Sequence, residues 1–175
     1  MLSEALALLP EATECVVQTS DDEEVRGGAP RRRFTNGRGG PLQHAFNTAP
    51  WLLDFLRGLT NRGLIYTGEI GTYSYYLHPG DYLDIHRDIV TCDVAVITCL
   101  HDSSVDEEGG RLCLYPERCR EPLSEIRATP ERGAMKLRLM VGQTIVMYGG
   151  IIPHALLPVA EGQARIVSVL CYRAV

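Results

Sequence analysis

No stretch of this 175-residue chain approaches the ~20 uninterrupted apolar residues of a membrane-spanning helix, so no membrane partner is expected. Residues 1–10 are apolar but carry Glu4 and lack a basic n-region, and they read as a short helix rather than a secretory signal. Any CxxC pair is also missing: the cysteines lie scattered at 15, 92, 99, 113, 119 and 171. That spacing does not suit zinc. Without a signal segment it points to reduced thiols in a cytoplasmic protein, most of them small core residues. Lysine is almost absent, with Lys136 alone among 17 basic residues; base composition explains such a bias, and it carries no functional weight. Positive charge is not in excess either. A net charge of -5 argues against nucleic acid as a partner. There is no internal repeat or low-complexity tract. A hydrophobic content of 45% is that of an ordinary folded protein, and the length fits a single domain over 1–175.

Three textures divide the chain. Residues 1–67 read as an N-terminal region of helix and loop, turning acidic at Asp21–Glu24. Within it, residues 26–41 are rich in Gly and Arg, have little apolar content, and are expected to form a flexible loop. The five arginines between Arg26 and Arg38 leave two readings open, a flexible surface segment and a lid or anion-binding arm. Residues 50–56 place apolar side chains on one helical face, predicting a helix to about Leu59 that packs outside a sheet. From Gly68 to Val175 the pattern changes to short apolar runs separated by turns. The runs lie at 70–77, 82–85, 94–100, 111–115, 137–139, 144–148, 155–157 and 166–172. Many short strands with such punctuation predict a mainly β sandwich or barrel.

The chemistry-bearing pattern is His86-Arg87-Asp88, followed by His154 and then Arg165. In an extended strand, residues i and i+2 share a face about 6.6 Å apart, so His86 and Asp88 can aim at one point. A barrel can bring the remote His154 to the same place. Two imidazoles and one carboxylate leave open positions on a metal, the donor set of non-heme Fe(II) oxygen chemistry. A chance HxD pair on a surface is the bland alternative, and His78 is a competing ligand; His44 and His101 lack a comparable setting. Between Ala164 and Tyr172, alternation puts Arg165, Val167, Val169 and Cys171 on one face. A guanidinium among apolar side chains implies an anionic partner, unless it snorkels to solvent. The turn at 158–163 is expected to fold this strand back beside the one bearing His154.

With these residues in place, the chain resembles the Fe(II)/2-oxoglutarate-dependent dioxygenase superfamily, in particular its prolyl-4-hydroxylase-like branch, over roughly 73–172. The resemblance rests on Tyr75-Tyr76 before Pro79-Gly80, on His86 and Asp88, on the run Val94–Leu100, and on Gly109-Gly110-Arg111-Leu112-Cys113-Leu114-Tyr115-Pro116. Gly142-Gln143, His154 and Arg165 complete it. It implies a double-stranded β-helix, a jelly-roll barrel resembling the cupins, over 68–175, with supporting helices mostly N-terminal. By the same resemblance, His86, Asp88 and His154 would be the catalytic metal ligands for Fe(II), and Arg165 would bind the distal carboxylate of 2-oxoglutarate. Tyr76 would also touch the co-substrate, with Tyr75 or Tyr82 as substitutes if the register differs. Thr98 and Cys99 stand where relatives often carry a tyrosine that helps hold the co-substrate, and the Thr98 hydroxyl would take over that part. Leu112 would line the co-substrate site. The chain departs from the pattern at Val167, where many relatives carry serine; here Ser168 faces away.

The implied activity is a hydroxylase consuming O2 and 2-oxoglutarate and releasing succinate and CO2. Asp88 argues against halogenation, whereas desaturation, cyclisation and epimerisation use the same three ligands. The short chain leaves little room for a peptide-recognition domain, favouring a small-molecule substrate such as an amino acid or natural-product intermediate. A peptidyl or prolyl substrate in a protein is the alternative. Two other classes stand beside these: a cupin-like metalloenzyme that does not use 2-oxoglutarate, and a non-enzymatic binding module. The acidic loop 102–108 is read as a solvated turn or a cover over the barrel mouth.

Overall fold

The strands expected after Gly68 form, because each apolar run has one face to bury and a turn to release it, except that the one expected at 137–139 lies earlier, at Met135–Leu137. The computed structural model describes residues 1–21, 26, 28–103 and 109–175. In chain order the elements are α1 (Leu2–Leu8), β1 (Thr13–Val17), β2 (Arg32–Arg38), α2 (Pro41–Asn47), α3 (Pro50–Thr60) and β3 (Leu64–Tyr66). Then follow β4 (Thr72–Tyr76), β5 (Tyr82–His86), β6 (Val94–Asp102), β7 (Leu112–Leu114) and α4 (Leu123–Ala128). The chain closes with β8 (Met135–Leu137), β9 (Thr144–Met147), β10 (His154–Leu156) and β11 (Arg165–Ala174). The order is β8-β7-β10-β5-β2-β4-β11-β6-β9, all antiparallel, with β1 added to β2 and β3 to β11. The sheet curls into a mainly β jelly-roll barrel whose two halves face one interior.

Helices cover the outside. Leu52 and Leu56 of α3 pack on Val94, Val96, Leu170 and Tyr172, so the expected outer helix is present and sits against the sheet. Ala5 of α1 packs against Tyr73, Tyr75 and Ile166 on the same half, and Leu123 and Ile126 of α4 cover Ile85, Tyr115 and Ala155 on the other. Among the described residues no helix is long and apolar enough to cross a membrane.

Three expectations need correction. Residues 32–38, read as flexible loop, are a strand at the seam of the barrel: Arg32 and Arg33 pair with β5, whereas residues 35–38 pair with β4. No apolar series announces this strand, because its inward face is Arg32, Phe34 and Asn36. Second, β11 does not lie beside β10 but pairs with β4, β6 and β3; the turn before it crosses to the opposite half. Third, Cys92 and Cys171 are joined as a disulfide, while Cys15, Cys99, Cys113 and Cys119 are free. The two partners are 79 residues apart, and only strand pairing brings them together. The expectation of a cytoplasmic location rested on reduced thiols and loses that support. Residues 104–108 of the acidic loop lie outside the described residues.

Candidate metal centre and adjoining cavities

His86 ends β5 and His154 opens β10, and the two are register partners on neighbouring strands. Their rings lie 4.2 Å apart between centroids. A bulge makes this possible: His154 pairs with His86 but Leu156 pairs with Leu83, so β5 carries an extra residue over that interval. Strict alternation from Leu83 would turn Ile85 inward and His86 outward. The bulge reverses this, and Ile85 packs under α4 instead.

Each imidazole is fixed by its own backbone. His86 Nδ1 lies 2.8 Å from the Asp84 carbonyl oxygen, and His154 Nδ1 lies 2.9 Å from that of Ile152. A carbonyl only accepts, so both Nδ1 atoms donate, which leaves both Nε2 lone pairs directed at the centre. Asp88 follows the end of β5, where its amide donates to the Gly149 carbonyl oxygen at 2.9 Å. Arg26 donates to the carbonyl oxygens of Asp88 (2.9 Å) and Ile89 (2.7 Å) while pairing with Asp93. Asp88 Oδ1 stands 3.7 Å from His86 Nε2 and 3.6 Å from His154 Nε2. Donors about 2.1 Å from a shared ion lie up to ~4.2 Å apart, so this spacing leaves room for one. Among the described residues these three form the one cluster of metal-ligand type.

The electrostatics favour a cation. Burial opposes charge on Asp88, but the two facing imidazoles outweigh it and hold the carboxyl well below its usual range. Burial likewise opposes charge on His154, yet Asp88 and the Ile152 carbonyl raise its pKa.

Inside the barrel, a cavity of ≈ 190 Å³ runs from this cluster to Arg165, with Tyr76, Ser74 and Asn36 as further polar lining and Val167, Leu112 and Ile97 among its apolar walls. Arg165 is 2% exposed. The anionic partner its burial demands is supplied by the chain: Nη1 pairs with Asp102 at 2.9 Å, and Asp102 also lies 3.5 Å from Arg138. Nε of Arg165 remains buried without a hydrogen-bond partner. Burial raises the Tyr76 phenol above its usual pKa, so its O–H stays available to donate.

No protein-family model matches the chain, and no similar curated protein was found. Solved structures do match. The chain is similar to a Pseudomonas putida prolyl-4-hydroxylase (TM-score 0.62, 18% identity, covering 98% of this chain and 83% of that one). It is similar also to a Trichoplax adhaerens prolyl hydroxylase solved with a hypoxia inducible factor peptide fragment (TM-score 0.59, 15% identity, 98% and 77% covered). A third is the non-heme α-ketoglutarate-dependent epimerase SnoN from nogalamycin biosynthesis (TM-score 0.67, 13% identity, 98% and 71% covered). The chain has the fold of the 2-oxoglutarate–Fe(II) oxygenases.

Within that oxygenase fold, His86, Asp88, His154, Arg165, Tyr76 and Leu112 share one cavity. Thr98 and Tyr75 do not join them. Thr98 lies next to the inward Ile97, faces outward and bonds Thr144 at 2.9 Å; the Tyr75 hydroxyl donates to the Ala5 carbonyl oxygen under α1. Tyr82 does not line the cavity either. Ser168 faces away as expected, accepting a hydrogen bond from Gln43 at 2.7 Å. Sequence reasoning missed Asn36 and Ser74, whose strand positions give the only hint, and Arg26, whose bonds to Asp88 and Asp93 bridge more than 60 residues.

Proposed function

We propose that the chain is an Fe(II)- and 2-oxoglutarate-dependent dioxygenase that hydroxylates a small molecule such as an amino acid or natural-product intermediate. The observation carrying this reading is that the three metal-type donors and a buried, incompletely satisfied arginine line one cavity. The donor set fits Fe(II): two neutral imidazoles and a carboxylate, with their tautomers fixed. Bound there with 2-oxoglutarate and O2, Fe(II) supplies the oxidising chemistry of C–H hydroxylation, with succinate and CO2 released.

The chain's own residues do the rest. His86, Asp88 and His154 hold the metal. Arg165 and Tyr76 receive the far carboxylate of the co-substrate, with Arg165 Nε as an open donor. Val167, Ile97 and Leu112 keep water from that end. The cavity volume suits a small acid, well under the ~300 Å³ at which drug-sized pockets begin.

The test is to add Fe(II) and then 2-oxoglutarate to the metal-free protein without oxygen, following the visible band of a chelated 2-oxo acid. The band is expected in the native protein and absent in His154→Ala. In Arg165→Ala the 2-oxoglutarate concentration needed should rise about ten- to a hundredfold, as for removal of a charged hydrogen-bond donor. Iron binding with no band would favour a metalloenzyme that does not use 2-oxoglutarate. Failure to bind iron would end the proposal.

A further inference from the structure

A second, outer cavity, of ≈ 250 Å³, adjoins the inner one at the metal-type cluster and shares Phe34, Thr72, Leu83, His86, Asp88 and Val169 with it. If the inner cavity takes the co-substrate, the outer one takes what is oxidised, and its charged lining then describes that molecule. Four charged side chains besides the ligand Asp88 stand at or beside it: Arg32, Arg87 and Glu69, together with Arg26 behind the backbone. Arg87 is committed to the carbonyl oxygens of Cys119 (2.9 Å), Glu121 (2.8 Å) and Ile151 (3.3 Å). Arg26 is committed to Asp88, Ile89 and Asp93. Glu69 sits exposed at the rim.

Arg32 differs from all of them. It is half-buried on the inward face of β2, between Val17 and Leu83 in register. Its neighbours Arg31 and Arg33 face outward and pair with Asp84 and Asp81. Arg32 has no hydrogen-bond or ion-pair partner among the described residues, and its Nε is buried without one. A buried donor left unmade is costly, and a ligand anion would satisfy it. One free guanidinium, with the Asp88 and Glu69 carboxylates in the same lining, suits a single negative charge better than a dianion.

We propose that the substrate carries a carboxylate held by Arg32, which orients the rest of the molecule toward His86 and Asp88. The site is a substrate-anchoring one, and its chemical role rests on the oxygenase reading, whereas its capacity to bind a carboxylate does not.

The probes are C4–C6 aliphatic carboxylates and L-α-amino acids, each beside its methyl ester. Binding is followed by saturation-transfer NMR on the protein carrying Zn(II) and 2-oxoglutarate, and stimulation of succinate release on the protein carrying Fe(II). At least one acid should bind tenfold or more tightly than its ester. Arg32→Ala and Arg32→Gln should each weaken binding of that acid tenfold or more, and Arg32→Lys should recover part of it, with 2-oxoglutarate affinity unchanged in all three. Equal binding of acids and esters, no binding by any acid, or undiminished binding in both Arg32→Ala and Arg32→Gln would overturn the proposal. So would a drop in 2-oxoglutarate affinity in Arg32→Ala, which would move Arg32 to the co-substrate. If the oxygenase reading fails because no 2-oxo acid band forms, the same acid–ester comparison on the metal-free protein still decides for or against Arg32.

Discussion

The position of Asp88 depends on a residue with no side chain. A Cβ at Gly149 would stand 1.8 Å from Asp88 Oδ2, so any larger residue must displace the carboxylate. Gly149→Ala is therefore expected to lower Fe(II) affinity tenfold or more while leaving the fold intact, to be read by metal titration beside circular dichroism. Unchanged affinity would mean that Asp88 does not ligate from this pose. The residues of the His86–Asp88–His154 cluster and Arg165 were legible in the sequence because HxD, a late histidine and an arginine heading an apolar strand are local patterns. Gly149 was visible only as half of a turn. Its role, like that of Arg26, depends on which backbone lies opposite. The Thr98 and Tyr75 assignments failed for a related reason: each has a neighbour, Ile97 or Tyr76, that takes the inward position, and a shift of one residue exchanges the two faces.

Among the elements, the barrel strands were legible wherever apolar alternation was regular. Strand β2 was not, because a strand that lines a polar cavity turns Arg32 and Asn36 inward and breaks the hydrophobic pattern. The N-terminal elements are tied together through Glu4. Its carboxylate accepts from the Leu42 and Gln43 amides in the first turn of α2 (2.7 and 3.0 Å) and from the Tyr73 hydroxyl at 2.6 Å. Burial opposes its charge, but these bonds outweigh that and lower its pKa. A carboxyl with a lowered folded pKa stabilises fully above its unfolded value, and that stability disappears as the pH falls through the folded one. Glu4→Gln should therefore lower the melting temperature at pH 7, and the gap from the native protein should narrow as the pH falls below the ordinary glutamate range. A gap independent of pH would show that only shape, not charge, matters there.

At the scale of the whole molecule, the Cys92–Cys171 disulfide pins the segment after Asp88 to the central strand β11. Closing a loop of this size contributes about 4.5 kcal/mol in the chain-entropy account. Reduction, or Cys92→Ser with Cys171→Ser, is expected to lower the denaturant midpoint accordingly. It should also weaken Fe(II) binding, since Cys92 Sγ lies 3.6 Å from Asp88 Oδ2. If both measurements were insensitive to thiol reagents, the bridge would be dispensable to fold and site alike. The bridge has a topological consequence as well. It makes a covalent ring of residues 92–171, with the preceding residues as a tail laid against it. His154 and Arg165 belong to the ring, His86 and Asp88 to the tail, so an ion held by all three ligands would fasten tail to ring at a second point. A single backbone cut anywhere in the ring would then leave one molecule with its ligand set still tethered, until a reductant released the two pieces.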